Sequence, residues 1–328
     1  MSANIAKTVD GRDAVMMVGT PAWHGLGQVL SEPQTSHEAM KQAGLDWTVE
    51  KRGLVAEKDQ APVNGFLGLQ RSDTKEIISV VGDRYRPIQN SDAFSFMDSI
   101  VGGKHAMYHT AGALGMGERV WMLAKLPGTL TVKGVDGDQV EKFLILVNSH
   151  DGTSSLRCFF SGVRIVCQNT LNMALGDAKD GIAIRHTKNA MTRVDEAKKV
   201  LGIAHKFYDD FQSVIDRLAS KKIGKVDSDS YLKLLLPDNR DDKKSTRREN
   251  IRAEMLRLSV EGAGNDMPGI GGTMWALYNG VTEYVDHARA TRGTDDSVRA
   301  KNRLNSVWFG SGARLKQKAL DLALQVST

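Results

Sequence analysis

Six arginines stand on or beside strand-like stretches in the first 187 residues: Arg84 and Arg86 around Tyr85, then Arg119, Arg157, Arg164 and Arg185. Guanidinium groups carried by neighbouring strands suit one chemistry above others. They hold the phosphates of a polyanion, while aromatic rings beside them stack bases. Amides lie close in sequence, at Gln168, Asn169 and Asn172. Asn169 also reads as the cap of a short helix starting near Thr170. The candidate nucleic-acid-binding set is therefore Arg84, Tyr85, Arg86, Arg119, Arg157, Arg164, Asn169 and Arg185, with Tyr85 or Tyr108 as the ring on which a base stacks. The alternative is that arginine decorates the wet face of a sheet while tyrosine and tryptophan fill its core.

A second constellation could move protons or hold a metal: His109, His150, Asp151 and His186. Histidine and carboxylate are the right groups for either task. Adjacent residues on a strand point to opposite faces, so His150 and Asp151 need partners from elsewhere. No HExxH, paired CxxC or DxD spacing supplies them. His105 and His109 are four apart, which on a strand puts them about 13 Å apart on one face, too far to share an ion unaided. "GALGMGE" has glycines spaced like a phosphate loop, but the alternating "RVWMLAKL" follows it, so it reads as a hairpin turn. Cys158 and Cys167 sit among Phe, Val and Ile and read as small buried hydrophobes. No catalytic residue and no cofactor is assigned.

The elements needed to position these residues can be read from the pattern. "TSHEAMKQAGL" is a short helix with Thr35 or Ser36 as cap and Glu38 in its first turn. "WTVEKRGLVAE" alternates as a strand. "EIISVVGDRYRPIQN" is a strand that turns at Gly82-Asp83 and stops at Pro87, and "NSDAFSFMDSIVGG" is a helix capped by Asn90 or Ser91. Four strands follow, "HAMYHTAGAL", "RVWMLAKL", "KFLILVNS" and "LRCFFSGVRIVC", joined by turn-type sequences. "QNTLNMALG" reads as a helix and "GIAIRHT" as one more strand. Strands in succession with helices set beside them imply an α+β fold with a largely antiparallel sheet. After His186 the period becomes helical. Val194, Ala197, Leu201, Ala204, Tyr208, Phe211, Ile215 and Leu218 form a seam, expected either to pack on the sheet or to make an oligomer coil. The expected division is an α+β core over 1–187 and a helical region over 188–328.

Bulk properties set outer bounds. The chain has 328 residues, 41% of them hydrophobic and 25% charged, as an ordinary globular protein does. Its longest apolar run, Phe143 to Val147, has strand length and is too short to span a bilayer. No membrane association is expected. The N-terminus lacks a signal-peptide pattern, and two cysteines make no disulfide framework, so an intracellular chain is expected. The net charge is +5, with an uneven distribution. From Lys188 onward there are 25 Lys and Arg against 19 Asp and Glu, while the first 187 residues hold 19 against 20. A basic second half points to a polyanionic partner or is simply a basic solvated helix surface.

Seven blocks, "PAWHGLGQ", "AGLDWTVE", "VGDRYRPIQN", "TAGALGMGERVWMLAKL", "NSHDGTSS", "RIVCQNTLNMAL" and "WALYNGVTEYVDHAR", resemble the landmarks of the phage/plasmid-like protein family, one long filed as a domain of unknown function. They run in order from about Trp23 to His287. The resemblance implies a protein of bacterial phages, prophages and plasmids, working in the cytoplasm of the host cell. The family's strand-strand-strand-helix core is similar to that of single-strand annealing recombinases, a fold-level analogy. It implies oligomeric rings, single-stranded DNA in a basic groove, and annealing without ATP. Three functions stay open at this point: a DNA-binding, single-strand-annealing homo-oligomer; a metal-dependent nuclease or hydrolase using His109, His150, Asp151 and His186; and a host-takeover or anti-defence factor that binds a bacterial protein.

Overall fold

The computed structural model describes residues 5–19, 27–101, 107–164, 166, 169–172, 182–186, 194–238, 242–291, 299, 303, 306–307 and 310–327; for 101, 169–172, 182, 194–204 and 242–245 the backbone alone is described. The fold is α+β, with largely antiparallel sheets and a C-terminal helical region.

The first strand pair was not legible in the sequence. β1 (Val15–Val18) and β2 (Gln28–Leu30) are short and pair in parallel. α1 (Ser36–Gln42) starts as expected: the Thr35 side chain accepts from the Glu38 amide and Glu38 answers to the Thr35 backbone, a reciprocal cap. A separate three-stranded sheet follows, β3 (Val49–Val55), β4 (Pro62–Arg71) and β5 (Ile77–Gly82). β4 carries two glycines, which weakens its strand signature.

α2 (Asn90–Val101) starts at the residue expected to cap it. Asn90 does not serve as that cap. Its side chain turns inward, where Nδ2 donates to the Leu45 carbonyl at 3.0 Å.

The large sheet runs β10-β9-β8-β7-β6-β1-β2, with β11 beside β9. Its long strands are β6 (Met107–Leu114), β7 (Arg119–Thr131), β8 (Gln139–Ser149) and β9 (Leu156–Arg164). β10 (Asn169–Asn172) and β11 (Ile182–Ile184) pair with opposite ends of β9. β10 corrects an expectation, since Thr170 lies opposite Val163 on a strand and starts no helix. Asn169 therefore caps nothing there. Tertiary pairing with β9 has overridden the helical pattern over Asn169–Asn172, the part of "QNTLNMALG" among the described residues. "GALGMGE" is the hairpin turn it was read to be. Gly115 and Gly117 both take positive φ, and the Gly117 amide donates to the Leu114 carbonyl.

Alternation along the strands gives the sheet two faces. One carries Val120, Met122, Ala124, Leu144, Leu146, Cys158 and Phe160, all buried, and α2 and α3 (Val194–Ser220) pack against this sheet. Of the predicted seam, Tyr208, Phe211, Ile215 and Leu218 are buried, and the rings of Phe207, Tyr208 and Phe160 meet edge-on or tilted. α3 thus packs on the body of the protein along that stretch. The other face carries Arg119, Trp121, Leu123, Phe143, Ile145, Val147, Arg157, Phe159 and Val163, with Leu123, Phe143 and Ile145 forming their own small cluster.

The C-terminal helices are α4 (Lys225–Leu235), α5 (Asp242–Glu261), α6 (Met274–Glu283) and α7 (Ser311–Val326). α6 changes pitch at its end, where a π-helical turn runs from Tyr284 to Ala288. One buried apolar cluster includes residues from Ile5 to Ala323. No helix among the described residues is long and apolar enough to cross a membrane.

Candidate functional site

Chain segments distant in sequence meet at one end of the large sheet. The link is Tyr85, in the loop after β5. Its hydroxyl lies 2.9 Å from the Ser149 carbonyl at the end of β8 and 2.9 Å from His186 Nδ1 just after β11. The two rings stack, with centroids 5.0 Å apart and planes 16° from parallel. The Ile88 backbone amide also donates to His186 Nδ1, at 3.3 Å. A backbone amide can only donate, so Nδ1 is the unprotonated nitrogen and the ring proton sits on Nε2. Burial holds His186 well below its usual range, at about 4. Burial also raises the Tyr85 phenol, and the Asp151 carboxylate adds to that.

Cations stand beside this stacked pair and along the same end of the sheet. Arg84 and Arg86 flank Tyr85 and are exposed. Arg86 is held over the turn by bonds from Nη1 to the Asp83 and Tyr85 carbonyls at 3.0 and 3.1 Å. Lys51 of β3 reaches the same Asp83 carbonyl at 3.2 Å, and burial followed by the nearby Arg86 charge lowers its pKa. Arg185 precedes His186 and is exposed. Arg119 lies directly across from Ser149, and exposed Arg157 lies opposite both Val147 and Ala183. Five of the six arginines singled out in the sequence thus stand around one end of the sheet. Asp151 partly offsets them. Its Oδ2 is 4.0 Å from Arg119 Nε, and although burial opposes it, hydrogen bonds from Ser149 and Thr153 hold this carboxyl below the usual range.

Arg164 is elsewhere. It is seven residues along β9 from Arg157, roughly 23 Å away, and an odd separation places it on the opposite face. It has no exposed surface. Nε and Nη2 each donate to the Asp138 carboxylate at 2.7 Å, and Nη1 and Nη2 donate to Asn265 Oδ1 and the Gly264 carbonyl at 2.9 Å. The guanidinium sits 5.7 Å from the Trp275 ring. This is a satisfied structural ion pair, and Arg164 leaves the candidate set. Tyr108 leaves it too, being fully buried with its hydroxyl donating to Asp98 Oδ1 at 2.9 Å. The Asn169 backbone lies opposite Arg164 at that far end of β9. His105, Cys167 and Gln168 lie outside the described residues.

The four residues of the metal reading divide. His109 lies on β6, its ring edge against Phe143 at 5.3 Å, with burial lowering its pKa. His150 is buried at the inner side of the Tyr85 site, 3.0 Å from Asn90 Oδ1 through Nε2 and 5.4 Å from the Trp47 ring. Burial, and to a lesser degree His186, holds it down at about 3, so it is neutral. Asp151 is occupied by Ser149, Thr153 and Arg119. Among the described residues no three His, Cys, Asp or Glu side chains stand together as a metal site. Four buried polar atoms at or near this inner side, Trp47 Nε1, Asn148 Oδ1, His150 Nδ1 and His186 Nε2, have no hydrogen-bond partner.

Two residues at this end of the sheet are not singled out by the sequence reading. Lys51 was one member of an ordinary-looking strand, and only the fold brings it beside Arg86. Trp121 lies in the strand "RVWMLAKL" and is given no role of its own there. The alternation Arg119-Val120-Trp121 could have signalled that Arg119 and Trp121 share a face.

No curated protein and no solved structure matches this chain. One family does, over residues 77–308, a span that takes in the Tyr85 loop, β6 to β11 and most of the C-terminal helices. The chain belongs to the DUF932 family, a domain of unknown function.

Proposed function

We propose that this protein binds the phosphodiester backbone of nucleic acid, single-stranded DNA first among its forms, and anneals strands without ATP. The observation that carries the reading is the presence of Arg84, Arg86, Arg119, Arg157 and Arg185, from separate segments, at the end of the large sheet where Tyr85 and His186 stack. Like charges repel, and Lys51 stands close enough to Arg86 for that charge, after burial, to lower its pKa. A polyanion relieves that repulsion. The resemblance of the seven sequence blocks adds the setting: a cytoplasmic, homo-oligomeric protein of a phage or plasmid, acting in recombination or replication.

The test is binding of a labelled oligonucleotide of about 30 nucleotides, as single strand and as duplex, across a salt series. Each phosphate neutralised contributes about 0.7 to the slope of log K against log salt for a single strand. Arg157→Ala and Arg185→Ala should each flatten the slope by about that amount. Absence of binding at about 50 mM salt, or affinity indifferent to salt, overturns the reading.

One observation favours a second reading, a protein partner. The outer face of the β3-β4-β5 sheet exposes Phe66, Ile77 and Val80 at 54%, 40% and 55%, with Leu54 beside them over Gly68. Phe66→Ser with Val80→Ser should then abolish capture of a host protein while leaving nucleic-acid binding unchanged.

A further inference from the structure

The face of the large sheet that bears Arg119 and Arg157 also bears Trp121, and its geometry is unusual. Trp121 lies directly opposite Gly112 on β6 and opposite Val147 on β8. A Cβ added to Gly112 would lie 2.5 Å from the indole Cη2 and 2.6 Å from Cζ2. The ring therefore lies across the neighbouring strand, over a position that only glycine can fill. It remains partly exposed. Arg119 precedes it by two residues on the same face, about 7 Å along the strand. Arg157 ends the row Gly112–Trp121–Val147–Arg157, two strands away, or roughly 10 Å from Trp121 at the backbone. A partly exposed indole on the sheet face that also carries two guanidinium groups, Arg119 on its own strand and Arg157 two strands away on the side opposite Gly112, has the composition of a base platform with phosphate contacts beside it.

We infer that Trp121 stacks a nucleobase of a strand whose phosphates are held by Arg119 and Arg157. This deepens the nucleic-acid reading above and rests on it. It adds a consequence that phosphate binding alone does not carry: the ligand at this face is single-stranded, because a paired base has no free face to lay on the ring. It also assigns stacking to a residue other than Tyr85, whose ring is already stacked on His186.

The test compares three probes on the full-length protein: oligo(dT), the same strand annealed to its complement, and an abasic deoxyribose-phosphate strand of equal length. Trp121→Leu keeps an apolar side chain without a π face, and Trp121→Phe restores one. Wild type should bind oligo(dT) more tightly than the abasic strand. Trp121→Leu should lose roughly 5- to 150-fold in affinity for oligo(dT), the range for one stacked base, with unchanged affinity for the abasic strand and an unchanged salt slope. Trp121→Phe should recover most of the loss. Equal wild-type affinity for oligo(dT) and the abasic strand, or a Trp121→Leu protein that binds oligo(dT) like wild type, overturns the stacking inference and leaves the phosphate reading standing. A wild type that binds none of the three probes overturns both.

Discussion

Arg164 and Arg157 belong to the same strand, yet the structure gives them opposite roles, and substitution separates the two. Arg164 is fully buried and makes four hydrogen bonds, two of them to the equally buried Asp138. In Arg164→Met the Asp138 carboxylate keeps, among the described residues, the Trp275 Nε1–H donor at 3.2 Å. Leaving one member of a buried pair uncompensated costs about 3–5 kcal/mol, a large share of the roughly 5–15 kcal/mol that holds a domain folded. At about 2–4 °C per kcal/mol for a chain of this size class, the melting temperature should fall by roughly 6–20 °C. Adding Asp138→Leu removes the stranded charge and should return much of the loss. Arg157→Met, at an exposed site, should stay within about 0.5 kcal/mol of wild type. Urea and thermal unfolding of the three variants provide the measurement. An Arg164→Met protein within about 1 kcal/mol of wild type would refute the buried-pair argument. So would one that keeps its melting temperature while losing salt-dependent DNA binding.

Other outcomes follow from the same geometry. His150 and His186 are held near 3 and 4, below the usual histidine value of 6.5, so the unfolded chain takes up their protons first as pH falls. Stability should be intact above about pH 6.5 and decline toward pH 4, by up to about 1.4 kcal/mol per pH unit for each histidine. Urea midpoints at pH 7.5, 5.5 and 4.5 test this, and His150→Gln should show the shallower decline. Gly112→Ala should destabilise by about 1–3 kcal/mol and shift the tryptophan emission, because the added methyl enters the Trp121 ring; unchanged emission and melting temperature would count against an indole seated over Gly112. Burial pushes the Cys158 thiol up to about 12, so iodoacetamide at pH 8 should leave the Cys158 peptide unlabelled until urea is added, as read by peptide mass.

The local elements were largely legible because their signals are local. The Thr35–Glu38 cap, the alternation of β6 to β9, the glycine turn between β6 and β7 and the Tyr208-to-Leu218 seam each depend on residues a few positions apart. The elements missed were those that long-range pairing creates: β1 and β2 with three or four residues each, the glycine-containing β4, and β10, where pairing with β9 prevailed over a helical pattern.

The site divides in the same way. Strand parity alone, applied to "RCFFSGVR", separates Arg157 from Arg164, since seven residues along a strand reverse the face. Parity likewise puts Arg119 and Trp121 together. Which arginine is buried could not be read from the strand, because Asp138 and Asn265, the groups that neutralise Arg164, lie 26 and 101 residues from it in sequence. The sequence by itself determined the α+β class, the succession of β6 to β9 and the stock of cations. Only the tertiary structure decided which of those cations share one end of the sheet, since that depends on Tyr85 bridging Ser149 and His186 across 64 and 101 residues of chain. Contacts closed over such distances follow from packing of the whole core, which no local pattern encodes.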